Sequence, residues 1–251
     1  MNLSQRAVAF LAQKPLQWPL PRQAGVLGNI TFPAELPFDA DCFTREDESD
    51  DSIMYARPIM VTHIDDDAIR ALTKHYTHTL PSAPAAGNTV VHLDLCSSWV
   101  SFLPNDYKPS RSVGLGMNSF ELCANKQLTE ALVHDLNNAD EPLSLPFADS
   151  SFDAITNVVS VDYVTRPLDL FAEMHRCLKP GGIAIMSFSN RMFWHKAVRI
   201  WTEATEWQRI LICGLYFDLS GFEGLEALEV TEPQGHDPLY IVQARKPLSG
   251  L

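Results

Sequence analysis

The 251-residue sequence carries 19 Lys and Arg against 31 Asp and Glu, a formal net charge of −12, with 46% hydrophobic and 20% charged residues. That length suffices for one sizeable α/β domain or two small ones, and the composition is that of a globular chain rather than a disordered one. The acidic balance argues against a nucleic-acid partner, because binding a phosphate backbone needs clustered cations.

Residues 1 to about 40 are rich in proline (Pro15, Pro19, Pro21, Pro33, Pro37) and lack a sustained period, so an extended arm lying over the rest of the molecule is expected. Within it, "AVAFLA" is too short for a secretory core, and no apolar run anywhere approaches the roughly 18 residues of a membrane span. Five scattered cysteines without a C-x-x-C pair read as reduced thiols, and a cytoplasmic protein with no membrane association is expected. The acidic run "REDESDD" reads as a solvated loop, and Asp65 to Asp67 are placed to cap a helix starting near Ala68. "HYTH" puts His75 and His78 at metal-ligand spacing without an identifiable third ligand, so no metal is expected. "PSAPAAGN", Pro81 to Asn88, reads as a linker, dividing an arm and lid segment (1–88) from a domain at 89–251.

From Thr89 short apolar runs alternate with helical patterns. Strands are expected at Thr89–Leu95, Ser112–Met117, Ala131–Asp135, Phe152–Val158 and Gly182–Phe188. Helices are expected near Ser98–Leu103, near Ser119–Asn125 and at Pro167–Leu178, the last opened by proline at a favoured first position. Farther on, Met192–Cys213 has one helical apolar stripe, and "LEALEVTEPQGHDPLYIVQARK" reads as two strands joined by a turn holding Pro233, Gly235 and Pro238. The plan is α/β: a Rossmann-like, doubly wound, mostly parallel sheet with a C-terminal antiparallel hairpin strand and a Pro-rich, helical N-terminal lid.

The string "FAEMHRCLKPGGIAIMSFSN" ends a helix on Lys179–Pro180, turns on Gly181–Gly182 and enters a buried strand. With "FDAITNVVSVDYV" and "HLDLCSSW" before it, this stretch resembles the class I, Rossmann-like S-adenosylmethionine-dependent methyltransferases, in their small-molecule and quinone-type branch. The R-x-D-E to "HIDD" leader and "SFSNRMF" are also similar to uncharacterised methyltransferase-domain proteins of photosynthetic organisms. The resemblance covers Thr89 to Lys246 and implies S-adenosyl-L-methionine as cofactor.

It places the cofactor on "LDLCSSW", where Asp94 and Leu95 end the first strand while Cys96, Ser97 and Ser98 stand in place of glycines; a strand–helix turn with a serine cap is the plain alternative. An acid for the ribose hydroxyls is expected about twenty-two residues beyond Asp94, where Gly116 stands instead, followed by Met117 and by Asn118, a weaker neutral substitute. Asp135 and Leu136 would meet the adenine, or make an Asx-type turn, and Asn157 and Val158 would border the cofactor. For alignment, dehydration and proton removal the candidates are Tyr55, His63, Asp162, Tyr163 and Arg191. Asp162 has an alternative as a helix cap or partner of Arg166, and Arg191 as the partner of an acidic loop residue rather than a clamp for an acceptor carboxylate. The implied activity is methyl transfer to a small intracellular molecule, the methyl acceptor being the only partner expected. A non-catalytic scaffold or assembly factor with weak cofactor binding is the alternative, and no motif specifies the oligomeric state.

Overall fold

The computed structural model describes residues 3–15, 27, 29–82, 89–138, 142–231 and 236–248. The linker at 83–88, the turn at 232–235 with Pro233 and Gly235, and Pro19 and Pro21 lie outside them. Seven strands form one sheet: β1 (Val91–Leu95), β2 (Arg111–Gly116), β3 (Glu130–Val133), β4 (Phe152–Val158), β5 (Leu178–Phe188), β6 (Glu223–Glu229) and β7 (Tyr240–Arg245). Their order is β3-β2-β1-β4-β5-β7-β6; the first five are parallel, while β7 runs antiparallel to both β5 and β6. This is the expected doubly wound plan with its reversed hairpin. Among the described residues no helix is long and apolar enough to cross a membrane.

Strand alternation sends Leu93, Leu95, Val113, Leu115 and Ile155 to one face. There they meet α5 (Pro167–Cys177), α6 (Arg199–Glu203), α7 (Glu206–Leu219) and α1 (Gln5–Leu11). On the other face Ala154, Ile183 and Ile185 pack beneath α3 (Asp66–Thr79), whose Ala68, Leu72 and Tyr76 recur every fourth residue. Asp65 caps α3 through the Ala68 N–H at 2.8 Å, as its sequence position predicts.

Four expectations are corrected. The arm contains α1, capped by Ser4, whose Ala7, Phe10 and Leu11 are buried in the main core. The acidic run is solvated only in part: Asp51, which opens α2 (Asp51–Met54), is buried against Arg45. The helix expected at Ser98–Leu103 does not form. Ser101 and Leu103 give their N–H groups to Gln127 Oε1, and Asn125 and Gln127 donate to the carbonyls of Ser98 and Leu103. With its backbone groups satisfied by side chains, and Phe102 in the left-handed region at φ 53°, that segment has no helical ladder to complete. Finally, the stripe from Met192 breaks. Val198 and Arg199 donate to the carbonyls of Asp162 and Thr44, and a capping box of Thr205 and Gln208 starts α7 afresh.

Candidate functional site

β1 and β4 are neighbours whose connections leave the sheet in opposite directions, which opens a crevice at their C-terminal ends, the usual ligand position of an open α/β sheet. A cavity of about 250 Å³ lies there. Its floor is the tips of β1, β2 and β4, its flank is the segment after β3, and its outer wall is the leader from Tyr55 to His63 together with Met192 and Phe193.

Of the residues singled out in the sequence, Tyr55, His63, Tyr163 and Arg191 line this one cavity. So do Asp94, Cys96, Ser97, Ser98, Gly116, Met117, Asn118, Asp135, Leu136 and Val158. Leu95, Asn157 and Asp162 do not. Leu95 and Asn157 are register partners at the strand ends, fully buried, with the Asn157 amide donating to the Leu95 carbonyl at 3.3 Å. Asp162 turns inward under the cavity, buried and close enough to Arg209 to feel its charge; the Arg166 guanidinium binds the Asn138 carbonyl instead.

The first turn is organised by Asp94. One carboxylate oxygen accepts the hydroxyls of Ser97 and Ser101, both at 2.6 Å, and the other accepts Thr156 at 3.2 Å. Burial nevertheless raises its pKa to about 6, the hydroxyl donors pulling the other way. Cys96 follows at φ 54°, the left-handed conformation a glycine would adopt without cost, and burial lifts its thiol to about 12, so it stays protonated. His63, Phe102 and Val159 share that backbone region at φ 64°, 53° and 45°. Among the described residues, four of the five non-glycine positions with positive φ line this cavity, the clustering expected where function holds the backbone in strained conformations.

The side chains of Gly116's neighbours have settled roles. A Cβ on Gly116 would overlap the Ser97 carbonyl oxygen and lie 3.1 Å from its carbon, so the strand tip admits only glycine. Asn118 caps α4 (Ser119–Ala124) by accepting from the Phe120 and Glu121 N–H groups, and its amide donates to the Tyr55 carbonyl at 2.8 Å. Arg191 gives its Nε to Asp237 at 2.8 Å, the acidic-loop pairing that stood as its alternative.

Several lining residues are not among the site candidates of the sequence: Asp51, Trp99, Glu121, Asn137 and Phe193. Asp51 receives Arg45 Nη1 across both carboxylate oxygens at 2.7 and 2.9 Å, Asn137 at 2.8 Å and Lys196 at 3.3 Å. Asn137 also donates to the Tyr163 carbonyl and accepts from Thr165, which ties the leader to the loop after β4. The Glu121 signal was present, since an Asn-x-x-Glu spacing at a helix start resembles a capping box; its turn toward the cavity is set by tertiary contacts.

Burial raises the pKa of Tyr55 and Tyr163, so both are neutral hydroxyls at physiological pH, and it lowers that of His63, favouring the neutral imidazole. Tyr163 accepts the Phe193 N–H at 2.8 Å, and its hydroxyl is directed to the Asp162 carboxyl. Asp162 is pushed up to about 7 by burial, opposed by Arg209. A carboxyl with a raised folded-state pKa contributes stability that is present below its unfolded pKa and lost as pH rises through 7. Relative to Asp162→Asn, the wild-type protein is therefore expected to gain about 2–3 kcal/mol between pH 8 and pH 5. Urea titrations of both proteins at the two pH values read that difference; a difference independent of pH would contradict the placement of Asp162.

Comparison with known proteins places this geometry in context. Residues 76–186 match the family model described as "Methyltransferase domain". The biotin biosynthesis bifunctional protein of Teredinibacter turnerae is 54% identical over 39 residues, covering 16% of this chain and 7% of that protein. The ubiquinone/menaquinone biosynthesis C-methyltransferase of Dinoroseobacter shibae is 36% identical over 85 residues, covering 32% of this chain. The chain thus spans about a third or less of these curated relatives, 7% and 34%. Among solved structures, a chain of the Haloferax volcanii complex between the Trm112 methyltransferase activator and its methyltransferase partner aligns with a TM-score of 0.53 at 15% identity, covering 74% of this chain and 92% of that one. The (4+2)-cyclase SpnF aligns at 0.52 and 18% identity, covering 79% and 91%. At such identities these two likenesses establish the fold, and a fold shared with a cyclase fixes no reaction.

Proposed function

We propose that this chain, whose residues 76–186 match the methyltransferase-domain family model, is a class I, Rossmann-like methyltransferase that transfers a methyl group from S-adenosylmethionine to a small intracellular molecule. The observation that carries the reading is the cavity at the strand-order switch between β1 and β4, lined by ten of the twelve residues that the family pattern assigns to the cofactor.

The donor set fits. Asp135 is half-buried, its carboxylate accepting the Asn137 N–H at 2.8 Å, and it stands beside Leu136 at the adenine end of the expected site. Glu121 adds a second carboxylate on the β2 side. Trp99, Tyr55, Tyr163 and Phe193 supply ring faces suited to a sulfonium cation. When bound, S-adenosylmethionine supplies an electrophilic methyl on that cation.

The chain's own residues do the rest. The leader lies over the crevice: Trp99 Nε1 donates to the Val61 carbonyl at 3.1 Å and Asn118 holds the Tyr55 carbonyl, so water is kept from the reacting atoms. Tyr163, fixed by the Phe193 N–H, presents a neutral hydroxyl that orients an acceptor oxygen or nitrogen. His63 packs edge-on to Phe193 at 5.3 Å and, being neutral, can take a proton from an acceptor O–H or N–H. Asp237 steers the Arg191 guanidinium at the mouth. Calorimetric titration with S-adenosylmethionine and S-adenosylhomocysteine tests the reading: micromolar binding is expected, and silence at millimolar ligand would leave a non-catalytic relative of the fold.

A further inference from the structure

We propose that Glu121 is the acceptor for a vicinal diol in this cavity, the two hydroxyls of the cofactor's sugar, in place of the acid missing from the tip of β2. The inference rests on the methyl-transfer reading above and goes beyond it in naming the residue and the group it recognises.

Glycine at 116 is forced by the fold. The Ser97 backbone, fixed by its N–H to the Leu115 carbonyl at 2.8 Å, crosses the strand tip where a side chain would begin. Any acid serving the sugar must therefore reach in from elsewhere. Asn118 is fully engaged, its oxygen capping α4 and its amide holding Tyr55. Among the cavity's other carboxylates, Asp51 is neutralised by Arg45 and Lys196, Asp94 is turned onto the hydroxyls of Ser97 and Ser101 in its own loop and of Thr156 on β4, and Asp135 lies beyond β3 on the adenine side.

Glu121 differs from all of these. It projects from the helix immediately after β2, lines the cavity with Gly116 and Met117, and is only 6% exposed. Oε1 accepts the Ile59 N–H at 2.6 Å and Oε2 accepts the Ser98 hydroxyl at 2.5 Å. A carboxylate offers about four acceptor positions, so each oxygen retains one. No Lys or Arg pairs with it among the described residues, an arrangement that is costly for a buried carboxylate unless a ligand completes it. Because one oxygen also holds the leader at Ile59, the same side chain fastens the lid and receives the sugar.

The test is a double-mutant cycle between ligand and protein. S-adenosylhomocysteine and its 2′,3′-dideoxy counterpart are titrated calorimetrically into wild type, Glu121→Gln and Ser98→Ala. Wild type should prefer the diol by about ten- to a hundredfold, the usual worth of hydrogen bonds to a charged group. Glu121→Gln, which keeps an amide oxygen for the Ile59 N–H, should bind the dideoxy ligand as wild type does and shrink the preference to about threefold or less. Ser98→Ala should retain the preference, which separates diol recognition from general damage to the turn. If Glu121→Gln melts early, Glu121→Asp, a carboxylate one methylene short, should show a reduced preference. An undiminished preference in Glu121→Gln, or none in wild type, overturns the proposal. Wild type that binds neither ligand at millimolar concentration overturns the methyl-transfer reading itself.

Discussion

Gly116→Asp, which installs an acid where the family pattern expects one, should abolish S-adenosylhomocysteine binding and lower the melting temperature by about 6–12 °C. Its Cβ would enter the space of the Ser97 carbonyl, which is main chain and cannot rotate away. Overpacking of a tight site costs about 1–3 kcal/mol, and a backbone-to-backbone conflict belongs at the upper end; at about 2–4 °C per kcal/mol for a chain of this size, the shift in melting follows. Relief requires the first turn to lift away from β2. That would break the Ser97 N–H bond to Leu115 and disturb the bonds from Ser97 and Ser101 to Asp94, unmaking the floor of the cavity. Gly116→Ala should behave almost as badly, which separates the steric cause from the added charge. Differential scanning calorimetry of both variants decides the matter, and wild-type melting in Gly116→Ala would show that the turn yields more easily than these contacts imply.

Asp51→Ala should cost about 3–5 kcal/mol, because it removes the buried carboxylate that two buried cations share. Arg45 loses the carboxylate that both its short contacts reach, keeping only Glu48 at 3.6 Å, and Lys196 loses one of two acidic neighbours, keeping Asp47 at 3.3 Å and the Ser49 carbonyl at 2.6 Å. Asn137 loses its link to the leader while still reaching the Tyr163 carbonyl. Limited proteolysis should then cut within the segment from Arg45 to Met60 in the folded protein, before global unfolding. Asp51→Asn keeps an oxygen for one cation and should fall between wild type and Asp51→Ala. A melting curve for Asp51→Ala that superimposes on wild type would mean the cluster is held by other contacts.

The five parallel strands were legible because each is a short apolar run bounded by polar or turn-forming residues, and the reversed hairpin because two such runs stand close together near the C-terminal end of the chain. What escaped the sequence was competition for hydrogen bonds. Ser98–Leu103 has enough apolar residues for a helix, but Asn125 and Gln127, more than twenty residues away, claim its backbone groups. The strand tips of the site could be placed by family pattern, whereas the complete burial of Leu95 and Asn157, which keeps them off the cavity wall, depends on packing that the sequence does not show. Asp162 was misplaced because its short 3-10 turn, Val161–Tyr163, follows neither a strand nor a helix period. The local sequence marks Glu121 only as a helix-start residue and Asp51 only as part of an acidic run, since their roles in the cavity depend on the leader crossing segments some sixty to ninety residues away.

That crossing bears on catalytic tempo. The leader is pinned at Asp51 by Asn137, at Tyr55 by Asn118, at Ile59 by Glu121 and at Val61 by Trp99. On the methyl-transfer reading proposed above, ligand entry and exit would require this row of fasteners to let go together, which makes the opening of a hatch a step of every turnover.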